Sequence, residues 1–302
     1  MIDDVTSKNF SSILQNRSLR FLDENVESFI LVIVFSTINS IFDFSSISLI
    51  WRSKILRSKA ANIFIVASLI SDFLNNIGYT IVAIFDLISW RNRQPVILEK
   101  RTCYNYIFIL SFTYEASAKF LMAAAFDRYL AKNYRKLYEK FACRLGKYEI
   151  GVTIKILTTE CIVVASSFFL PLTGEFLVAC SLRTTTSHVP VRIVFDFVLH
   201  ASPLVILTLF YWKKFFGQKN QVSTNQNDHQ SVDKIPLALI LIILSRFFLH
   251  LTDYFQSREN PTNELLDLYR INLGLIVFLS YTLFVPDFLT AFSKNPFSPT
   301  TE

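Results

Sequence analysis

The chain has 302 residues, 52% of them hydrophobic and only 18% charged, with a net charge of +6 and a mean hydropathy of +0.38. A soluble domain carries about 25% charged residues, so this composition lacks the polar surface to coat a water-facing globule. The 30 phenylalanines, set against 6 glycines and 9 prolines, exclude disordered and collagenous chains, and the length excludes a small disulfide-stapled one.

A helix needs about 20 predominantly apolar residues to cross roughly 30 Å of hydrocarbon. Seven stretches reach that length, approximately at residues 28–51, 61–89, 104–131, 150–171, 190–212, 235–255 and 266–291. They leave an amino-terminal tail over 1–27 and a short carboxyl tail over 292–302, on either side of a helical domain at 28–291. The fourth stretch is the weakest, because it contains Lys155 and Glu160. None alternates with period two over barrel-strand lengths, which argues against a transmembrane β-barrel. Gln218–Ser231, rich in Gln, Asn and Ser, reads as a disordered loop between spans five and six. No internal repeat is visible, which weighs against transporters built from duplicated halves. The expected fold is an all-α integral membrane bundle of seven transmembrane helices.

Loop charges set the expected orientation. With the amino terminus outside, the inner segments carry Arg52, Lys54, Arg57 and Lys59, then Arg128, Lys132, Arg135, Lys136, Lys140, Arg144 and Lys147, then Lys213, Lys214, Lys219 and Lys234. The outer segments are poorer in Lys and Arg, although the loop after span two is basic through Arg91, Arg93, Lys100 and Arg101. The usable glycosylation sequons, at Asn9 and Asn16, lie in the amino-terminal tail and agree with an outside terminus. The first apolar run is too long for a cleavable signal peptide and follows Asp23, Glu24 and Glu27.

The most specific local feature is Asp127-Arg128-Tyr129, at the inner end of span three. An arginine facing hydrocarbon is expensive, so an acid beside it has a physical reason. Asp127 can hold Arg128 in one state and release the long guanidinium toward a cytoplasmic partner in another. The alternative is that Arg128 marks the helix end as an interfacial anchor. Cys103 lies 25 residues upstream, at the outer mouth of the same helix. At 1.5 Å per residue the two positions are about 38 Å apart, one on each side of the bilayer.

Cys103, Asp127-Arg128-Tyr129 and their spacing resemble the third helix of rhodopsin-like (class A) G-protein-coupled receptors. The resemblance implies a disulfide from Cys103 to Cys180 in the second outer loop, with Cys143 and Cys161 as reduced thiols. Asp72 resembles the buried acid of helix two that helps bind a sodium ion; the alternative is a hydrogen-bonded core carboxyl with no ion. No other cofactor is implied. Pro203 and Tyr211 in span five are eight residues apart, as in the family, and Tyr211 is then expected to swing toward Arg128 on activation. Leu56-Arg57 in the first inner loop also fits.

The chain departs from the family's pattern as well. Span four lacks the central tryptophan, and span six has neither Cys-Trp-x-Pro nor a mid-helix proline. Span seven reads Val285-Pro286-Asp287-Phe288-Leu289 where the family has Asn-Pro-x-x-Tyr, and span one carries Asp43 rather than asparagine. The sequence is similar to a divergent member, of the kind found among invertebrate chemosensory receptors.

Such a bundle binds ligands between the outer halves of its helices, in a mostly apolar cavity with a few polar groups. The candidates are Asn76 and Tyr79 on span two, Tyr106, Leu110 and Tyr114 on span three, Asp196 and His200 on span five, His250 and Asp253 on span six, and Arg270 on span seven. The histidines serve equally as core residues donating to backbone carbonyls, and the aromatics as packing. Glu115 and Lys119, four apart on one helix face, suit a structural ion pair as well as a ligand contact. Leu110 occupies the place of the acid that amine receptors use, which disfavours an aminergic ligand.

No metal-ligand spacing or phosphate loop marks an enzyme. The basic residues flank the spans, so the positive charge belongs to the inner loops and not to a nucleic-acid surface. The expected function is a plasma-membrane receptor, its amino terminus outside, that passes an extracellular ligand signal to a heterotrimeric G protein. Lys132, Arg135, Lys136, Lys213 and Lys214 are the expected basic contacts. The alternatives are a seven-span transporter or channel, with Asp43, Asp72, Glu115, Lys119 and Asp287 lining a path, or a decayed receptor that no longer signals.

Overall fold

A computed structural model describes residues 2–94, 98–142, 147–168, 176–177, 205, 239–244, 273–285 and 288. The described elements run α1 (Ile2–Arg52), α2 (Lys54–Arg57), α3 (Ala60–Arg91), β1 (Leu98–Glu99), α4 (Lys100–Asn133), α5 (Arg135–Ala142), α6 (Lys147–Phe168), β2 (Phe176–Leu177) and α7 (Leu273–Phe284). Residues 239–244 are also helical.

The long helices form because nothing in their sequences stops them. α1 and α4 contain no glycine or proline, and α3 contains a single glycine, Gly78. α1 therefore starts well before the span expected at residue 28 and draws the segment expected as a tail into one helix of 51 residues. Two helices among the described residues, Leu22–Arg52 and Ala60–Arg91, are long and apolar enough to cross a membrane.

Their polarity is turned inside out. From Phe29 onward the buried residues described on α1 are Phe29, Val32, Ser36, Asn39, Asp43, Ser46 and Ile50, stepping by three and four. On α3 the exposed residues Ile70, Leu74, Ile77, Ile81, Ile84 and Ile88 keep the same step. Polar side chains thus face the bundle and apolar ones face outward, the arrangement a hydrocarbon solvent demands. A three–four step is the seam of helices crossing at a shallow angle.

The seam is stitched by short side chains. Ser36 Oγ lies 2.6 Å from Thr80 Oγ1, joining α1 to α3. Ser68 Oγ lies 2.7 Å from Ser117 Oγ, and Thr113 Oγ1 donates to Asn75 Oδ1 at 3.3 Å, joining α3 to α4. Gly78 lets the same two helices approach closely. A Cβ there would stand 2.4 Å from Leu110 Cδ2.

One apolar core gathers Leu56, Phe64, Leu69, Phe120, Leu121, Leu239, Ile242, Val277, Tyr281 and Phe288. It lies toward the end of the bundle where α1 stops, α3 starts and α4 stops. A smaller cluster of Leu22, Phe29, Val32 and Ala83, with Trp90 and Tyr79 against it, fixes the early part of α1 to the other end of α3.

At that second end α3 closes with the Arg93 N–H donating to Trp90 O and the Gln94 N–H to Ser89 O. Arg93 takes the left-handed conformation that such a cap requires, with φ of 52°. That conformation costs a non-glycine residue about 1–2 kcal/mol. Arg93 offsets it through its side chain, which donates to Asp23 Oδ1 at 2.6 Å and lies over the Trp90 ring at 5.9 Å. Trp90 Nε1 donates to the same oxygen at 2.8 Å.

Two tests bear on this packing. Gly78→Ala sets the overlap with buried Leu110, about 1–3 kcal/mol, against the roughly 1 kcal/mol that alanine gains over glycine in a helix; adding Leu110→Ala removes the overlap, so the two substitutions should be non-additive. Thermal unfolding of Gly78→Ala, Leu110→Ala, the double variant and wild type in detergent checks this; strict additivity would refute the close approach. The Asp23 carboxyl is held below its ordinary range, first by the Trp90 indole N–H and then by Arg93. A lowered folded-state value means that the clamp's contribution is complete above the ordinary carboxylate range and is lost as pH falls through the lowered value. Acrylamide quenching of Trp90 emission should therefore rise in strong acid. Asp23→Asn should already show the raised quenching at neutral pH.

Candidate functional site

The Asp127-Arg128-Tyr129 triplet sits one turn and a half before the end of α4. Arg128 Nε and Nη2 both donate to Asp127 Oδ2, at 3.0 and 2.6 Å. The acid is fully buried and the arginine is 8% exposed. Its second oxygen, Oδ1, has no hydrogen bond within reach among the described residues. The groups nearest to Asp127 beyond Arg128 are the Tyr138 hydroxyl and the Ala61 backbone.

Tyr138 comes from α5, which the chain forms immediately after α4 turns at Tyr134. The Tyr134 ring lies 6.0 Å from that of Tyr129, so the turn is held by an aromatic pair. Burial first, and then the Asp127 charge, push the Tyr138 hydroxyl above its ordinary range. Glu149, 4% exposed near the start of α6, is the next acid of this neighbourhood. Tyr148 beside it packs edge-on to Phe64 of α3, with ring centroids 6.1 Å apart. The chemistry of the site is simple: one guanidinium, held in place by the carboxylate next to it, beside a short helix that supplies the Tyr138 hydroxyl.

A second tie crosses the same end. Tyr281 on α7 donates to Asn62 Oδ1 at 2.8 Å, and Asn62 Nδ2 donates to Leu56 O at 2.7 Å. Both Tyr281 and Asn62 are fully buried. No sequence pattern flagged either residue. Nor does a local pattern point to Tyr138, which the turn into α5 brings toward Asp127.

The acid of span two lies deeper. Asp72 is 7% exposed, and Asp43 of α1 lies close enough to interact with it electrostatically. Asn76 Nδ2 donates to Asp43 Oδ2 at 3.0 Å. The amide of Asn76, expected as a ligand contact, is thus engaged within the α1–α3 seam. Tyr79 packs half-buried beside the Leu22 cluster, Leu110 is buried against Gly78, and Tyr114 is half-buried on α4. Asp86 is half-buried near the end of α3 that carries Trp90.

Lys119 reaches across to Glu160 of α6 and forms an ion pair with it. Glu115, expected either to pair with Lys119 or to contact a ligand, is buried one turn earlier on α4, and the ion pair to Glu160 joins two helices. Cys161 next to it is a free thiol on the exposed face.

Cys103 and Tyr106 lie in the first turns of α4, their side chains outside the described residues. Cys180, Asp196, His200, Pro203, Tyr211, His250, Asp253 and Arg270 also lie outside the described residues. β1 and β2 pair antiparallel, with Leu98 opposite Leu177 and Glu99 opposite Phe176. Asn16 is exposed on α1, and Asn9 lies in the same helix with its side chain undescribed.

The family model described as serpentine type 7TM GPCR chemoreceptor Srsx matches residues 32–292. The chain belongs to this chemoreceptor family. The match runs from the middle of α1 past α7 and takes in all seven expected spans but the beginning of the first. A serpentine chemoreceptor is a multi-pass plasma-membrane receptor of the seven-helix type, and the inward polar seam and outward apolar stripes accord with that solvent. No curated protein matches the chain.

The Lys119–Glu160 pair gives this chemoreceptor a testable strut. Lys119→Met alone leaves a buried, uncompensated carboxylate and should cost about 3–5 kcal/mol. Lys119→Met with Glu160→Leu should restore most of that stability, measured as melting temperature in detergent.

Proposed function

We infer that this chemoreceptor detects an extracellular ligand and passes the signal to a heterotrimeric G protein at the Arg128 end of the bundle. The observation that carries the reading is the buried Asp127–Arg128 pair, roofed by α5. A guanidinium held by its neighbouring acid stays out of reach of a partner. An agonist that favours an opened bundle shifts the population toward a state in which Arg128 is freed. Tyr138 biases the closed state by facing the acid.

The remaining assignments extend this reading. The amino terminus is outside, with glycans at Asn9 and Asn16, which places Arg128 and α5 in the cytoplasm. Cys103 and Cys180 form the outer disulfide; the β1–β2 pairing supports it, because Cys180 follows Leu177 by three residues and Cys103 opens the helix that β1 enters. Pro203 and Tyr211 act in the opening of the bundle. The ligand sits among the outer halves of the helices, with Tyr79, Tyr106, Leu110, Tyr114, Asp196, His200, His250 and Arg270 as its neighbours, and Asn76 behind them. A sodium ion at Asp72 would have Asp43 as a second acid nearby.

Expression with a panel of Gα reporters, challenged with ligand mixtures, tests the reading. Arg128→Ala should abolish nucleotide exchange at unchanged surface display. Tyr138→Phe should raise ligand-free exchange, by roughly fivefold for the loss of about 1 kcal/mol from the closed state. Full signalling by Arg128→Ala would sink the mechanism.

A further inference from the structure

The outward pole of α5 is built differently from the rest of that helix. Arg135 donates to Glu139 Oε1 at 2.9 Å, so the exposed flank carries a paired charge. Lys136 and Lys140 are four residues apart on the face opposite Tyr138, and both are exposed. Neither has a hydrogen bond or ion pair among the described residues. Like charges at this spacing repel each other and weaken a helix. A short helix keeps such a pair at a cost unless an anion lies over it.

The surroundings indicate which anion. Tyr134, at the start of α5, is 48% exposed, and Phe126, two turns earlier on α4, is 45% exposed. Trp51, at the α1 terminus of the same end, is 57% exposed. Exposed aromatic rings at the end of membrane helices mark the level of the lipid headgroups. Lys147, at the start of α6, adds a third exposed cation to the rim. The two lysines therefore stand where apolar rings give way to water, which is where the phosphates of a bilayer lie.

We propose that Lys136 and Lys140 bind the phosphate-bearing headgroup of an anionic lipid in the leaflet at the Arg128 end, and so hold α5 against the bundle. The consequence reaches the site already described. α5 is anchored on its other face by Tyr138 toward Asp127, so a lipid that seats the helix also stabilises the closed Asp127–Arg128 pair. The lipid acts as a brake on release of Arg128. This last step rests on the receptor reading above, whereas the binding itself does not.

The full chain, purified in detergent, is titrated with phosphatidylserine or phosphatidylcholine, and bound lipids are counted by native mass spectrometry. Each lysine near an anionic surface contributes about a fivefold gain in affinity, so the K136Q/K140Q variant should bind phosphatidylserine roughly 25-fold more weakly. Phosphatidylcholine binding, and phosphatidylserine binding by the R20Q control on the part of α1 near the Trp90 end of the bundle, should not change. Raising the salt should weaken the wild-type preference. Equal phosphatidylserine binding by wild type and K136Q/K140Q, at equal melting temperature, overturns the proposal. Nucleotide exchange in nanodiscs separates the partners. Loss of exchange in the double variant to the same extent with and without phosphatidylserine, with lipid binding unchanged, would give the surface to the G protein instead. Failure of every variant and of wild type to stimulate exchange would count against the receptor reading while the lipid titration still decides the lysines.

Discussion

The structure depends on one constraint: in hydrocarbon a polar side chain must find its partner inside the protein. A missing partner cannot be replaced by water there. The α1–α3–α4 seam follows from this. Ser36 meets Thr80, Ser68 meets Ser117, Asn76 meets Asp43, and Lys119 meets Glu160. The serine and threonine contacts depend on close approach of backbones, which Gly78 also permits where it faces Leu110. The outward faces need only be apolar, and a plain isoleucine stripe on α3 suffices for that.

The same constraint explains why some features could be read from the sequence and others could not. Apolar length is additive along the chain, so helices are legible where it accumulates: Ala60–Arg91 and Lys147–Phe168 lie within a few residues of the stretches at 61–89 and 150–171. Helix starts were less so. Nothing between Ile2 and Arg52 breaks a helix, yet a charged segment before an apolar run reads as a tail, because hydropathy registers solvent preference and not backbone conformation. Partner choice was the least legible. Glu115 and Lys119 are local neighbours by helical spacing, whereas the Glu160 partner is brought in by the packing of α6 on α4. The Tyr281–Asn62 bond spans nearly the whole chain, so no local pattern points to it.

The Asp127–Arg128 pair is the same physics put to use. A buried guanidinium must be matched, and the adjacent aspartate supplies the match within one helix, with no demand on a neighbouring one. A pair contained in one helix is not pulled apart directly when helices separate, so on the proposed reading its release follows from loss of the cover over it. What changes on such movement is the roof over it. The roof here is α5, attached through the Tyr129–Tyr134 pair at its start and through Tyr138 facing the acid. On the proposed reading, control of the site would reside in how firmly a helix of eight residues is seated. Short helices have little stability of their own, so their position is set by tertiary contacts.

This shifts the weight given to the departures in spans six and seven. The family's aromatic hydroxyl near the end of helix seven is absent at Leu289, but Tyr281, two turns earlier, sends its hydroxyl across to Asn62 at the start of α3. Asn62 in turn holds the Leu56 carbonyl of α2, so the last described helix is tied to the turn between the first two long ones. Ala61, the neighbour of Asn62, lies against Asp127. The start of α3 is thus a shared abutment: one residue receives α7 and the next receives the acid that holds Arg128. Moving α7 away from the bundle withdraws a hydrogen bond one residue from the site. A tie between α7 and the start of α3 thus exists without the family's motif, so the altered motif alone does not argue for a silent receptor.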